Sequence, residues 1–245
     1  NEQGLGDSIQ FSKYLLPLSK ISNKITFVVQ ENIKNLFKDY KNINIKTYNE
    51  CKNQIFDFKI SLGSLIKFFY TEKIKPEESL IEFSHKNKIE LENKIDYSKK
   101  NIGLVWSGSF LGPNEPYRSI PLNYFRKILS LNANFYALQN EIWERDLEYF
   151  KSSKLIDCSN YKLDELSSLI SKLDLVITCD TSLLHLASSL NIETWGILCL
   201  YPDWRWGEFN KFNPYNKLKL FNQKQFCNWD FINDEVYELL EKKLN

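Results

Sequence analysis

The stretch Leu175–Gly196 constrains this chain more than any other, because four successive elements can be assigned in it from the residues alone. The apolar run Leu175–Thr178 is typical of a buried strand, and the three cap-type residues Asp180, Thr181 and Ser182 mark the start of a helix. The apolar residues that follow lie at helical spacing: Leu183, Leu186, Ala187 and Leu190. The pattern predicts a helix that packs on a sheet and begins at the carboxyl end of a strand.

The same helix carries a histidine on its other side. At about 100° per residue, His185 lies almost opposite the apolar stripe and on the same side as Thr181 and Ser182. Backbone amides at a helix N-terminus favour an anion, so the arrangement predicts a phosphate site. A lone helical histidine is more often structural or solvated, and cap residues are ordinary at strand–helix junctions. Spacing alone leaves both interpretations open.

Composition narrows the partners. The 245 residues include 32 basic and 31 acidic side chains, and this balance argues against nucleic acid as the main partner. No apolar run approaches the ~20 residues of a membrane span. The chain has no methionine and begins at Asn1, so we expect an incomplete N-terminus.

The cysteines and histidines point away from metal and disulfide chemistry. Five cysteines without a C-x-x-C pair and two histidines are too few ligands for a zinc site, so no metal is expected. We expect buried free thiols in a reducing cytoplasm.

Strand and helix patterns alternate along the chain, which predicts parallel βαβ units. In the first part, the predicted strands are Ile25–Val29, Ile43–Tyr48 and Gln54–Leu62, and the predicted helices are Asn32–Tyr40 and Gly63–Tyr70. The polar segment Thr71–Lys100 is interpreted as a connection. A second series of strands begins at Ile102, so we expect two α/β domains with ligands bound at strand carboxyl ends.

Three motifs together resemble a known family. The motif D-T-S-x-x-H-L-A from Asp180, the pair Gly6-Asp7 before a helix, and the strand IGLVWSG from Ile102 are similar to glycosyltransferase family nine, the bacterial heptosyltransferase-like enzymes. The variant most resembles a branch often fused to tetratricopeptide repeats, which leaves open a repeat domain upstream in the full-length chain.

The resemblance implies a GT-B-like α/β fold, with two Rossmann-like lobes and a cleft between them. The implied divisions are an incomplete, truncated acceptor-side lobe at 1–98, with its connecting segment from about 71, a nucleotide-sugar-binding lobe at 99–229, and a C-terminal helix at 230–245 that returns toward the first lobe. Ser182 stands where many family members have glycine, which leaves the donor sugar open.

The implied reaction moves a sugar from a nucleotide-diphosphate donor to an acceptor hydroxyl with inversion. Carried over from the family, Asp7 is the general base, and Gly4 and Gly6 let the backbone approach the acceptor or sugar. From the residues alone, Asp7 or Ser8 is a helix cap instead.

The implied donor contacts follow the strands of the second lobe. They comprise a hydroxyl-rich turn (Ser107, Gly108, Ser109), a basic residue (Arg118), a strand-end amide (Gln139) and the helix start (Asp180, Thr181, Ser182, His185). Arg118 can clamp two phosphate oxygens, so neither a metal nor another cofactor is obligatory. The alternative for Arg118 is a surface arginine that holds a loop.

The run Pro202-Asp203-Trp204-Arg205-Trp206 is the most unusual composition in the chain. Trp204 and Arg205 are candidates for acceptor or sugar contacts, since aromatic rings stack on sugars and a guanidinium binds phosphate. Aromatic residues near a domain junction also simply bury a loop.

Two alternatives to an enzyme of this type remain. One is a non-catalytic sugar-nucleotide-binding module. The other is a sugar-nucleotide epimerase of similar fold, disfavoured because only His85 and His185 are available. The acceptor, whether a glycan, a lipid-linked glycan or a protein, is not selected by the sequence. A cytoplasmic location, or a peripheral one at the inner face of the membrane, is expected.

Overall fold

The computed structural model describes residues 4–69, 93–110, 115–206 and 215–245 of the chain. It contains two parallel sheets. The strands are β1 (Ile25–Val29), β2 (Ile43–Thr47), β3 (Asn101–Val105), β4 (Asn134–Ala137), β5 (Ile156–Asp157), β6 (Leu175–Cys179), β7 (Thr194–Leu198) and β8 (Leu218–Asn222).

The helices lie between and around these strands. The α-helices are α1 (Leu5–Phe11), α2 (Leu15–Ile21), α3 (Tyr48–Cys51), α4 (Ile66–Phe69), α5 (Glu115–Arg118), α6 (Arg126–Leu129), α7 (Glu144–Ser152), α8 (Leu163–Ile170), α9 (Ser182–Ser189) and α10 (Tyr237–Leu244). Short 3-10 helices span Ser12–Tyr14, Glu31–Leu36, Leu62–Leu65, Leu122–Phe125 and Trp204–Trp206, and Ile232–Val236 forms a π-helix.

The larger sheet has the strand order β5-β4-β3-β6-β7-β8, with every neighbouring pair parallel. This is the order of a doubly wound Rossmann sheet. Strands β3 to β5 are added in sequence toward one edge of the sheet, and strands β6 to β8 are added toward the other edge. Every residue of β3, β6 and β7 is buried, which explains their continuous apolar sequences. Ligands bind in the crevice at such a reversal, here at the carboxyl ends of β3 and β6.

The first lobe is small and packs directly on the second. Its sheet contains only β1 and β2 within the described residues, and its buried side chains form one continuous cluster with those of α8 and α9. The amide of Asn35 donates to Asp164 Oδ2 at 3.1 Å across this contact. The two lobes therefore share a hydrophobic core beside the cleft.

One predicted strand is wrong. Residues Gln54–Ser61 form no strand, and the side chains of Ile55 and Phe58 are 100% and 92% exposed. The alternation of this stretch was imperfect, and no neighbouring strand in the described part of the chain pairs with it. The predicted helix Asn32–Tyr40 is a shorter 3-10 helix, Glu31–Leu36.

The C-terminal helix packs against the second lobe. Ile232, Val236 and Leu240 are fully buried in the cluster that covers the other face of the large sheet, together with Leu122 and Phe125. This cluster contains second-lobe residues throughout, so among the described residues the helix packs on the large sheet of the second lobe. Most of the predicted connection, residues 71–92, lies outside the described residues.

Candidate active site

A cavity of about 930 Å³ opens at the reversal point of the large sheet. The first turn of α1 forms one wall, and the segments that follow β3, β4, β6 and β7 form the others. The sequence-predicted residues on its lining are Gly4, Gly6, Asp7, Ser107, Gly108, Ser109, Arg118, Gln139, Asp180, Thr181, Ser182, His185 and Arg205. Folding thus brings residues from both lobes to one space.

The start of α9 lines this cavity. Thr181 occupies the N-cap position in an extended conformation, but its side chain makes no capping hydrogen bond. Its hydroxyl lies 3.3 Å from the hydroxyl of Thr178 instead. The first amides of a helix have no intrahelical acceptor, so those of Ser182 and Leu183 are suited to an anion at the cavity surface.

His185 reaches the cavity but is only 5% exposed. Its ring stacks on Trp206 at 5.4 Å between centroids, and its Nδ1 lies 2.8 Å from the Tyr215 hydroxyl. Burial, followed by the nearby charges of Arg205 and Lys13, lowers the pKa of His185 to about 3. The side of α9 that carries His185 is therefore covered by Trp206 and Tyr215, and the imidazole is neutral at neutral pH.

Asp7 is not the N-cap of α1. Gly4 holds that position, and Asp7 is the third residue of the helix, where its Oδ2 accepts a hydrogen bond of 2.9 Å from the Gly4 amide. Its Oδ1 forms an ion pair with the Nη2 of Arg205. The carboxylate is 18% exposed and lines the cavity.

In the aromatic run Pro202–Trp206, Arg205 and Trp204 lie differently with respect to the cavity. Arg205 lines the cavity and also pairs with Asp203, whose Oδ1 accepts from Nη1 at 2.5 Å. Trp204 is 64% exposed and does not belong to the cavity lining, so its predicted contact with acceptor or sugar is not supported by its position. Its ring packs against the Arg205 guanidinium at 4.7 Å.

The turn after β3 is held by Gln139. The Oε1 of Gln139 accepts from the amides of Trp106 and Ser107 at 3.2 and 3.1 Å. Its Nε2 donates to the carbonyl and hydroxyl of Ser107 at 2.7 and 2.8 Å. These four bonds engage both the oxygen and the nitrogen of the side-chain amide. Gln139 therefore orients the turn and does not present a free edge to a nucleobase or ribose.

Arg118 and Asp180 both line the cavity, and the positive charge of Arg118 acts on the Asp180 carboxyl group. Burial raises the pKa of Asp180, whereas a hydrogen bond from Trp206 and the charges of Arg118 and Arg205 act in the opposite direction. Arg118 ends α5, one residue before Ser119, whose hydroxyl accepts from the Gly108 amide at 3.2 Å. This bond ties the arginine segment to the turn after β3.

Several lining residues were missed by the sequence analysis. They follow β4, β7 and β8 or precede Arg118, and they are Asn140, Glu141, Cys199, Tyr201, Asp203, Phe226 and Tyr117. The signal that could have found most of them is their position directly after parallel strands. Burial raises the pKa of Cys199, so its thiol is not an activated nucleophile.

Two further features bear on chemistry. Within the described ranges, no group of three or more His, Cys, Asp and Glu side chains is arranged to hold a metal ion. None of the helices in that part of the chain combines the length and hydrophobicity that crossing a membrane requires.

Residues 131–226 match the family model "Glycosyltransferase family 9 (heptosyltransferase)", which is less than half of the chain. No curated protein matches the chain in sequence.

Solved structures share the fold. A glycosyltransferase of family 9 from Veillonella parvula aligns at a TM-score of 0.61 and 14% identity, covering 98% of this chain and 90% of that one. The E. coli heptosyltransferase WaaC with ADP aligns at 0.59 and 8% identity, covering 96% and 97%. WaaC with ADP-2-deoxy-2-fluoro heptose aligns at 0.57 and 9% identity, covering 98% and 97%. These structures confirm the expected GT-B-like α/β fold, and the family model that matches residues 131–226 is that of a glycosyltransferase.

Proposed function

We propose that this chain is an inverting glycosyltransferase that moves a sugar from a nucleotide-diphosphate donor to an acceptor hydroxyl. One observation carries the proposal: Asp7 on α1 of the first lobe and the start of α9 in the second lobe line the same cavity. A carboxylate opposite an anion-binding helix start is the arrangement that direct displacement at an anomeric carbon needs.

The donor diphosphate lies at the second-lobe wall. Amides at the start of α9, the hydroxyl-rich turn of Ser107 and Ser109, and the guanidinium of Arg118 all line that wall. Arg118 neutralises charge as the diphosphate leaves, and the helix dipole acts in the same direction.

The acceptor enters between this wall and α1. Asp7 takes the proton of the acceptor hydroxyl while the oxygen of that hydroxyl forms a bond to the anomeric carbon. The bond from that carbon to the phosphate oxygen breaks, and its electron pair leaves with the nucleoside diphosphate. Attack on the face opposite the leaving group inverts the anomeric configuration.

Two solved structures with this fold suggest the first donors to test. They are E. coli WaaC with ADP and WaaC with ADP-2-deoxy-2-fluoro heptose. ADP-linked sugars are therefore the first probes for this chain, with GDP- and UDP-sugars beside them because the nucleobase contacts here are unassigned. The acceptor class is left to experiment.

The test combines binding with turnover. Thermal shift should show stabilisation by at least one of the ADP-, GDP- or UDP-sugars, and donor hydrolysis, in which water replaces the acceptor, should be measurable. Asp7→Asn should reduce turnover by about 10²- to 10⁴-fold without loss of donor binding, because it removes only the base. Unchanged turnover in that variant would contradict the mechanism. Binding without any turnover in the wild type would favour the non-catalytic module.

A further inference from the structure

The Arg205 guanidinium joins carboxylates from the two lobes. Its Nη2 pairs with Asp7 on α1, and its Nη1 pairs with Asp203 in the segment after β7. The backbone amide of Arg205 also donates to the same Asp203 oxygen at 3.1 Å. Asp203 thus anchors the arginine within its own loop, whereas Asp7 is a partner from the opposite wall.

The arginine is held in place by rings as well as charges. Its guanidinium carbon lies 4.7 Å from the centroid of Trp204 and 5.5 Å from that of Phe11, and its side chain is only 13% exposed. Packing between two aromatic faces keeps the planar group near the cavity while leaving its direction to be set by the strongest acceptor.

Acidic residues outnumber fixed positive charges on the cavity lining, so the binding of an anion there depends on Arg205. Among the described lining residues, four are acidic (Asp7, Glu141, Asp180 and Asp203) and only Arg118 and Arg205 carry a fixed positive charge. A diphosphate entering this space meets more carboxyl groups than cations. It therefore competes with Asp7 for Arg205, and a diphosphate offers several charged oxygens for bidentate bonds where Asp7 offers one.

We propose that Arg205 couples donor binding to the release of the base: it neutralises Asp7 in the unliganded protein and turns to the donor diphosphate when the donor binds. This inference rests on the proposed function. The donor then binds before the acceptor, because Asp7 becomes available to the acceptor hydroxyl only after Arg205 has left it. Arg205 is a positioning residue for Asp7 and a binding residue for the donor.

A double-mutant cycle on diphosphate affinity tests this coupling. Isothermal titration with ADP, GDP, UDP and inorganic pyrophosphate is carried out on the wild type, Asp7→Asn, Arg205→Gln and the double variant. Asp7→Asn should tighten diphosphate binding, since it frees Arg205, and Arg205→Gln should weaken it by about tenfold or more. In the Arg205→Gln background the gain from Asp7→Asn should shrink by at least about threefold, leaving only relief of simple charge repulsion.

Competition between two ligands for Arg205 differs from a merely structural ion pair. A structural pair predicts that Asp7→Asn gives no more than the gain from relief of charge repulsion, and an unchanged or weakened diphosphate affinity overturns the inference. Equal gains from Asp7→Asn in both backgrounds overturn it too. If Arg205→Gln does not fold, Arg205→Lys keeps the charge but loses the planar fork, and a weaker coupling is expected there.

The outcomes also separate this inference from the proposed function. Failure of all the nucleotides to bind the wild type would remove the proposed function and the inference with it. Binding of one nucleotide with no coupling between Asp7 and Arg205 would remove the inference alone. Lys151→Gln, at an exposed position of α7, is the control for loss of one positive charge and should leave affinity unchanged.

Discussion

At the residue scale, one absent side chain sets how closely the two lobes approach. A Cβ on Gly6 would lie 2.9 Å from Cδ2 of His185 and 3.5 Å from the Cα of Ser182. The imidazole cannot move aside easily, because Trp206 stacks on it and Tyr215 bonds to its Nδ1. Glycine at position 6 therefore brings Asp7, the next residue, against the second lobe.

Gly6→Ala should destabilise the protein even though alanine favours a helix. We expect a net loss of about 1 kcal/mol in the free energy of unfolding, since overpacking costs ~1–3 kcal/mol and the gain in helix propensity offsets up to ~1 kcal/mol. Denaturant unfolding measures it. Gly63→Ala is the matched control, because a Cβ there meets nothing within 4 Å. Equal stability of the two variants would show that α1 does not depend on this close approach.

His185 should make stability depend on pH. Its pKa falls from 6.5 to about 3 on folding, so below about pH 6.5 the unfolded chain binds a proton that the folded protein does not. The contribution of the neutral His185 to the free energy of unfolding is fully present above pH 6.5 and is lost as pH falls toward 3. Between pH 7 and pH 5 the wild type should lose about 1–2 kcal/mol more than His185→Gln. Parallel pH profiles of unfolding free energy would contradict a buried neutral imidazole.

At the scale of elements, sequence patterns predicted the second lobe well and the first lobe less well. Continuous apolar strands such as β6 and β7 are buried on both faces, so their sequences alone identify them. The stretch Gln54–Leu62 has strand-forming residues but no partner strand among the described residues, and pairing is a long-range property that local patterns do not contain.

The segment that carries Arg118 is fixed by one buried carboxylate. Asp146 of α7 accepts from the indole of Trp106 at 3.1 Å and from the amide of Leu122 at 2.9 Å. These two donors lie on either side of the segment that leads from β3 through Arg118. Asp146 thus ties both ends of that segment to one helix.

Asp146→Ala should destabilise the protein by about 2 kcal/mol or more, because it leaves two buried donors without acceptors. Chemical denaturation measures this loss. Glu148→Ala, at an exposed position of the same helix, should change stability by no more than about 0.5 kcal/mol. If the two variants unfold alike, Asp146 does not hold the segment.

At the scale of the whole molecule, the site is where a doubly wound sheet places ligands. The sequence predicted that Asp180–His185 follows a buried strand and that a helix begins near Asp7, and most of the site residues predicted from it line one cavity. It could not predict the pairing of Asp7 with Arg205, which lie 198 positions apart, nor the burial of His185 beneath α1. Both depend on how the lobes pack, which no local pattern records.

The central claim is that this cavity holds a nucleoside diphosphate, and Arg118 tests it most directly. Isothermal titration of ADP, GDP and UDP should show that at least one binds the wild type, that Arg118→Gln binds it about tenfold more weakly or worse, and that Lys151→Gln binds it as the wild type does. Absence of binding by all three nucleotides, or equal affinity in Arg118→Gln and the wild type, would contradict the claim.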